Sequence, residues 1–246
     1  KPTRGGAVEP ESEEEIMTRA KCLHRLPARK RCDRAVCASL VLAVALLCTS
    51  AARGQECAWK LRGTAGGPTP RSGHAMVYDS HRSRIVLFGG FNGTARQGDT
   101  WEWDGRSWTL RTATGPSPRV LGPAMAYDSG RRCVVLFGGF DGQYRDDTWE
   151  WDGGAWSQVA TSGPPARNGH ALAFDAARGR DVLFGGGGGA NDTWEWDGDT
   201  WTQVAIGGPP GRGGHGMAYD DARARTVVFG GRFGADYRTD TWEWDG

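Results

Sequence analysis

Trp101-Glu-Trp-Asp-Gly105 (WEWDG) returns at Trp149–Gly153, Trp194–Gly198 and Trp242–Gly246. Upstream of each copy stands Phe-Gly-Gly, at Phe88–Gly90, Phe137–Gly139, Phe184–Gly186 and Phe229–Gly231. Further upstream an arginine opens each unit: Arg71, Arg119, Arg167 and Arg212. Equivalent positions are spaced 45 to 49 residues apart, and all 12 tryptophans fall on repeat positions. A period of that length marks an array of supersecondary units that stack to bury a shared core.

Within one unit four short runs read as strands. In the first they are His74–Asp79, Arg84–Gly89, Thr100–Asp104 and Ser107–Leu110, parted by Asp-Ser and Asp-Gly turns. The second run is continuously apolar, as in a strand covered on both faces. The third alternates, Trp101 and Trp103 on one side and Thr100, Glu102 and Asp104 on the other. Four short strands in 45–50 residues make one propeller blade. The double glycine allows backbone conformations that a Cβ would block. The tryptophans fill the wedge between blades, each burying about 150–250 Å².

These marks resemble the Kelch family: a hydrophobic run closing on two glycines (Leu87-Phe88-Gly89-Gly90), then a spaced aromatic (Trp101). The Arg-x-Gly-His opening at Arg71–His74, Arg167–His170 and Arg212–His215 fits the same family. The resemblance covers roughly Trp59–Gly246 and implies an all-β, Kelch-type β-propeller with four recognisable four-stranded blades. The second unit departs, with Pro123 in the histidine place. A histidine that one unit does without is not an obligatory catalytic group. Cys57–Arg62 (CAWKLR) matches a fourth strand with no third before it, while Gly246 follows a third strand. The two ends are complementary, so the expected options are a self-closed ring of four and part of a larger ring.

Composition agrees with turns and aromatic packing: 39 Gly, 12 Trp and 38% hydrophobic residues. The net charge of +1 gives no reason to expect a nucleic-acid partner. Seven cationic residues between Met17 and Arg34 precede an apolar run, Ala35–Ala52, that ends in small residues. That order predicts a secretory signal, with cleavage after Ala52 or Gly54. The rival is a retained signal anchor, the only membrane link expected. The domain expectation is therefore a non-native or disordered leader over 1–16, a signal peptide or anchor over 17–54, and the propeller over 55–246. The propeller is placed in an extracellular or periplasmic space. Of six cysteines only Cys57 and Cys133 follow the signal, at unrelated repeat positions, which reads as free, partly buried thiols. Metal spacing is missing, so no metal or cofactor is expected. Asn92-Gly-Thr94 and Asn191-Asp-Thr193 fit the N-glycosylation pattern.

Function is expected on the face that carries the long second-to-third connections, because binding residues concentrate on variable loops over a rigid scaffold. There Asn92, Arg96, Tyr144, Arg145, Tyr237 and Arg238 differ most between units and are the ligand-binding candidates. Repeated charges read as architecture: Arg71, Arg119, Arg167 and Arg212 are expected to pair with Glu102, Glu150, Glu195 and Glu243, with Asp99, Asp147, Asp192 and Asp240 assisting. The expected function is a non-catalytic scaffold for a protein or glycan. The family resemblance also admits a galactose-oxidase-like copper enzyme, for which His74, His81, His170 and His215 form no converging set, and a structural spacer in a larger surface protein.

Overall fold

The computed structural model describes residues 58–63 and 66–246. The expected leader, signal segment and Cys57 lie outside the described residues. All strands belong to the unit Leu61–Gly246.

Three blades have four antiparallel strands in sequence order. Blade 1 holds β1 (Ala75–Asp79), β2 (Arg84–Phe88), β3 (Thr100–Trp103) and β4 (Trp108–Thr112). Blade 2 holds β5 (Ala124–Asp128), β6 (Cys133–Phe137), β7 (Thr148–Trp151) and β8 (Trp156–Ala160). Blade 3 holds β9 (Ala171–Asp175), β10 (Arg180–Phe184), β11 (Asp192–Trp196) and β12 (Trp201–Ile206). Blade 4 pairs β13 (Gly216–Asp220), β14 (Arg225–Phe229) and β17 (Thr241–Trp244), and carries a separate hairpin of β15 (Arg232–Phe233) and β16 (Asp236–Tyr237). The fold is the all-β propeller of four blades that the repeat predicts. One detail differs: the sheet of blade 4 has three strands, and residues 58–63 carry no strand.

Turn chemistry sets the register within each blade. The Asp79 carboxylate accepts the Arg82 amide at 2.9 Å and so closes the β1–β2 turn, as Asp128 and Asp175 do in the next blades. Asp104 accepts the amides of Arg106 and Ser107, both at 2.8 Å, before β4. Across β2–β3, Phe88 faces Thr100 and Val86 faces Glu102, which puts these four on one side of the sheet. Leu87, Trp101, Ile85 and Trp103 occupy the other.

The first strands stand side by side: β1 packs on β5, β5 on β9, and β9 on β13. The core therefore sits between blades. Ala75, Val86 and Phe88 of blade 1 pack on Met125, Val134, Leu136, Trp151 and Trp156 of blade 2. Phe137 and Val135 of blade 2 meet Leu172, Leu183 and Trp196 of blade 3 in the same way. Polar bonds repeat with the packing. Trp151 Nε1 donates to Glu102 at 3.1 Å and Trp156 Nε1 to Thr100 Oγ1 at 2.7 Å. At the next junction Trp196 donates to Glu150 (3.2 Å) and Trp201 to Thr148 (2.8 Å). Each indole fills the wedge and satisfies a partly buried carboxylate or hydroxyl.

The double glycine belongs to the same junction. Gly90 N–H donates to the Arg119 carbonyl of the next blade at 2.8 Å, with φ +99. A Cβ on Gly89 would lie 2.8 Å from that carbonyl oxygen, and one on Gly90 would lie 2.9 Å from the Ser72 oxygen. Both glycines are required for backbone-to-backbone approach.

Candidate ligand-binding face

The repeated arginines pair, but not with the expected glutamates. Arg119 Nη1 and Nη2 grip Asp147 at 2.7 and 2.8 Å, and Nη1 also donates to the Gly138 carbonyl. Arg71–Asp99, Arg167–Asp192 and Arg212–Asp240 repeat the fork. Glu102, Glu150, Glu195 and Glu243 are instead partners of the turn arginines Arg82, Arg131, Arg178 and Arg223. The reason is position: the opening arginine lies at the double-glycine end of the sheet, beside the aspartate that precedes the third strand. The glutamate points toward the opposite, turn end. Arg119 is wholly buried, and its planar fork matches the carboxylate while its remaining protons meet a carbonyl. Burial pushes the Asp147 carboxyl up, yet the bonds from Arg119 and Trp149 outweigh this and hold it below the usual range.

The repeated histidines serve packing. Burial pushes His170 down to about 3 and His215 to about 4, aided by Arg167 and Arg212 respectively. His170 lies edge-on to Phe137 of the preceding blade, its Nε2 3.2 Å from the Phe137 carbonyl. Cys133 is buried and has no disulfide partner among the described residues, and desolvation raises its thiol to about 12, so it is a poor nucleophile. Among the described residues, no three His, Cys, Asp or Glu side chains gather as a metal site requires.

The long-loop face carries a groove of about 810 Å³ between blades 1 and 2. One wall is the β2–β3 loop, with Phe91, Thr94 and Arg96; the other is Val120, Leu121, Phe140 and Asp141 of blade 2. Short bridges hold both walls: Phe91 pairs with Ser72 and Arg96, and Phe140 with Val120 and Tyr144. The Arg96 guanidinium lies 5.2 Å from the Phe140 ring centre, joining the walls by a cation–π contact. Tyr144 tilts against the same ring at 5.3 Å. Arg145 binds Asp141, which also accepts Ser117 Oγ at 2.6 Å. Burial would raise the Asp141 carboxyl, but the bonds from Arg145, Ser117 and the Gln143 amide bring it to about 2.

Blade 2 breaks the repeat at this groove. Between its opening arginine and β5 it has one residue more than each of the other three units, the inserted residue being Leu121. Leu121 has φ +59 and is 54% exposed. A bulky side chain in the left-handed region carries backbone strain of about 1–3 kcal/mol, and such strain collects at functional sites. Gly73 of blade 1 abuts it: a Cβ there would lie 3.2 Å from Val120.

The six expected contact residues divide. Arg96 lines the groove, Tyr144 supports Phe140, and Arg145 holds Asp141. Asn92 shapes the loop, its Oδ1 accepting Thr94 N, Thr94 Oγ1 and Ala95 N. Tyr237 and Arg238 lie on blade 4 at a separate cavity of about 450 Å³. Sequence reading missed Phe91, Phe140 and Leu121. The aromatic after the double glycine, present in units 1 and 2 alone, and the extra residue of unit 2 were the available signals.

A repeated four-stranded blade with inter-blade tryptophans, Arg–Asp forks and paired glycines defines a β-propeller of the Kelch class. The KLHDC2/KLHL20/DRC7 Kelch-repeats domain model matches residues 46–191. The chain belongs to the Kelch-repeat family, whose propellers are typically protein-interaction scaffolds. No curated protein matches it.

Proposed function

We propose that this protein is a secreted, non-catalytic Kelch propeller that binds a partner in the groove between blades 1 and 2. The observation that carries the reading is the coincidence of that groove with the strained, exposed Leu121, where the repeat gains a residue. Phe91 and Leu121 offer apolar contact, and Arg96 has no carboxylate partner among the described residues. This chemistry suits a protein segment with an apolar side chain beside an acidic group. A glycan is the second candidate, since an exposed aromatic ring also stacks on sugars. Secretion is supported by the basic lead and the apolar run Ala35–Ala52.

The test is a peptide library and a glycan array presented to the full chain and to its Arg96→Glu and Phe140→Ala variants. Ligands of the wild type should bind each variant at least about tenfold more weakly, about 1.4 kcal/mol. Ligands indifferent to both substitutions would refute the groove. Stoichiometric copper uptake accompanied by oxidase turnover would refute the non-catalytic reading.

A further inference from the structure

We propose that Asp181 holds a proton which it shares with Asp128, and that this proton keeps the junction between blades 2 and 3 shut, so that the propeller loosens there as pH rises. Three departures from the repeat meet at this junction. The first is Asp181 itself, opposite Trp196, where the other blades set Ile85, Val134 and Thr226 opposite Trp103, Trp151 and Trp244. The second is Phe174, where the other blades have Tyr78, Tyr127 and Tyr219. The third is Cys133, opposite Asp128, where the other blades have Arg84, Arg180 and Arg225 opposite Asp79, Asp175 and Asp220.

Two of these changes move charge in one direction. Each turn arginine binds two carboxylates of its own blade: Arg82 binds Asp79 and Glu102, Arg178 binds Asp175 and Glu195, and Arg223 binds Asp220 and Glu243. Arg131 binds Asp128 at 2.7 Å and Glu150, and also reaches Asp181 across the junction at 3.2 Å. A third carboxyl group thus joins one guanidinium. At the same place a neutral thiol stands where the other blades carry a second arginine. Asp181 is wholly buried, and its Oδ1 has no hydrogen-bond partner among the described residues. A surplus negative charge is costly in such surroundings, and a bound proton removes it.

The missing tyrosine gives that proton its place. Tyr127 and Tyr219 lay their hydroxyls beside the turn aspartate of the preceding blade, Asp79 and Asp175, and Tyr219 Oη also accepts the Ala177 amide at 3.2 Å. Phe174 offers Asp128 no such donor. Asp181 pairs directly across the ladder from Phe174 and so emerges on the same face, toward blade 2. Its O–H replaces the absent phenol. Burial, and after it the Asp128 charge, push the Asp181 carboxyl up against the pull of Arg131. Glu150 of β7 and Cys133 of β6 also face it from blade 2. Its own blade sets Phe174 and Trp196 beside it, neither of which titrates, while Arg180 and Val182 emerge on the other side of β10. Loss of the proton leaves Asp128 and Asp181 both charged, and opening to water relieves them. A group whose folded value lies above its unfolded one stabilises at low pH and ceases to as pH rises, which sets the direction.

Cys133 is a native reporter, because it is buried in this junction with Leu183 and Trp196 and a buried thiol is inert. The experiment is alkylation of the full chain with iodoacetamide from about pH 5 to about pH 9, read at the Cys133 peptide by mass spectrometry and divided by the rate in the denatured chain at the same pH. The corrected rate should rise with pH, by at most about tenfold per unit. In Asp181→Val, which carries the side chain of Val134, it should stay level. Circular dichroism checks the fold, and Asp181→Asn, closest in shape to the protonated acid, should give the same level line. At about pH 6, where ordinary carboxyls have ionised, the infrared band of a protonated carboxyl should appear in the wild type and not in Asp181→Asn. Amide exchange in β2 of blade 1, corrected for pH, should keep its protection. A wild-type rate independent of pH overturns the proposal, as does a rise that both variants share, an infrared spectrum that Asp181→Asn leaves unchanged, or a parallel loss of protection in β2, which would make the opening global.

Discussion

The junctions between blades and the loops above them obey different rules. In the junctions the chain repeats itself: indole to glutamate and glycine N–H to arginine carbonyl at all three, and indole to threonine at the first two, at nearly constant distances. In the loops it does not. Blade 1 has Phe91 and Arg96, blade 2 has Phe140 and Tyr144, blade 3 has Gly187–Gly189, and blade 4 has its own hairpin. Packing of one face against another tolerates little variation, because a volume or hydrogen-bond error is felt through a close-packed core. Solvated loops tolerate much more. Repetition therefore marks architecture, and departures from it mark candidate chemistry.

The largest effect should come from the repeated forks. Arg119→Met leaves Asp147 and the Gly138 carbonyl without their buried partner, and stability should fall by about 3–5 kcal/mol in denaturant unfolding. A loss under about 1 kcal/mol would place the forks outside the architecture. Next comes a pair of glycines. Gly138→Ala puts a Cβ 2.9 Å from the Arg167 oxygen at φ +63, while Gly93 has open space at φ +96. The first substitution should lower stability by about 2–3 kcal/mol and the second by about 1 kcal/mol. Equal losses would mean that backbone conformation alone, without inter-blade approach, explains the conserved geometry of the repeat.

A third variant probes a break inside a junction. Asp181 stands where blades 1 and 2 have Ile85 and Val134, buried between blades 2 and 3. Its carboxylate accepts Arg131 Nη2 at 3.2 Å, whereas the matching Nη2 of Arg82 and Arg178 has no partner among the described residues. Burial and then the Asp128 charge push its carboxyl well above the ordinary range, against the pull of Arg131. The folded chain therefore holds this proton at pH values where the unfolded chain has released it. Stability from Asp181 is full below the ordinary carboxylate value and falls as pH rises toward the folded value, by at most about 1.4 kcal/mol per unit. Asp181→Asn should gain on the wild type as pH rises in thermal melts; a difference independent of pH would contradict this. The smallest effect on stability belongs to the groove. Arg96→Ala should change unfolding by less than about 0.5 kcal/mol while weakening ligand binding, and the reverse pattern would make Arg96 a structural residue.

The blades were legible because their signals are local and repeated. Leu87-Phe88-Gly89-Gly90 and Trp101-Glu-Trp103 specify strand, close approach and wedge filling wherever they occur. Partner choice among like charges was not legible. Arg119 could meet Asp147 or Glu150 on sequence grounds, and the end of the sheet at which each side chain emerges decided it. Arg96 was visible as a variable loop residue. Phe140 and Leu121 also depart from the repeat in the sequence, but that they share one groove with Arg96 became visible only when the bridges Val120–Phe140 and Phe91–Arg96 placed two loops across it. The three-stranded sheet of blade 4 matches the three strand-like runs its unit carries up to Gly246, whereas the pairing of residues 58–63 with it, which the sequence suggested, is not seen.

The most direct test is a double-mutant cycle between Trp151 and Glu102, whose indole-to-carboxylate bond crosses from blade 2 to blade 1 at 3.1 Å. Trp151→Phe and Glu102→Met, alone and together, should give a coupling of about 1–3 kcal/mol in equilibrium unfolding, since neither replacement can make the bond. Strict additivity would mean that the recurring tryptophans do not fasten one blade to the next.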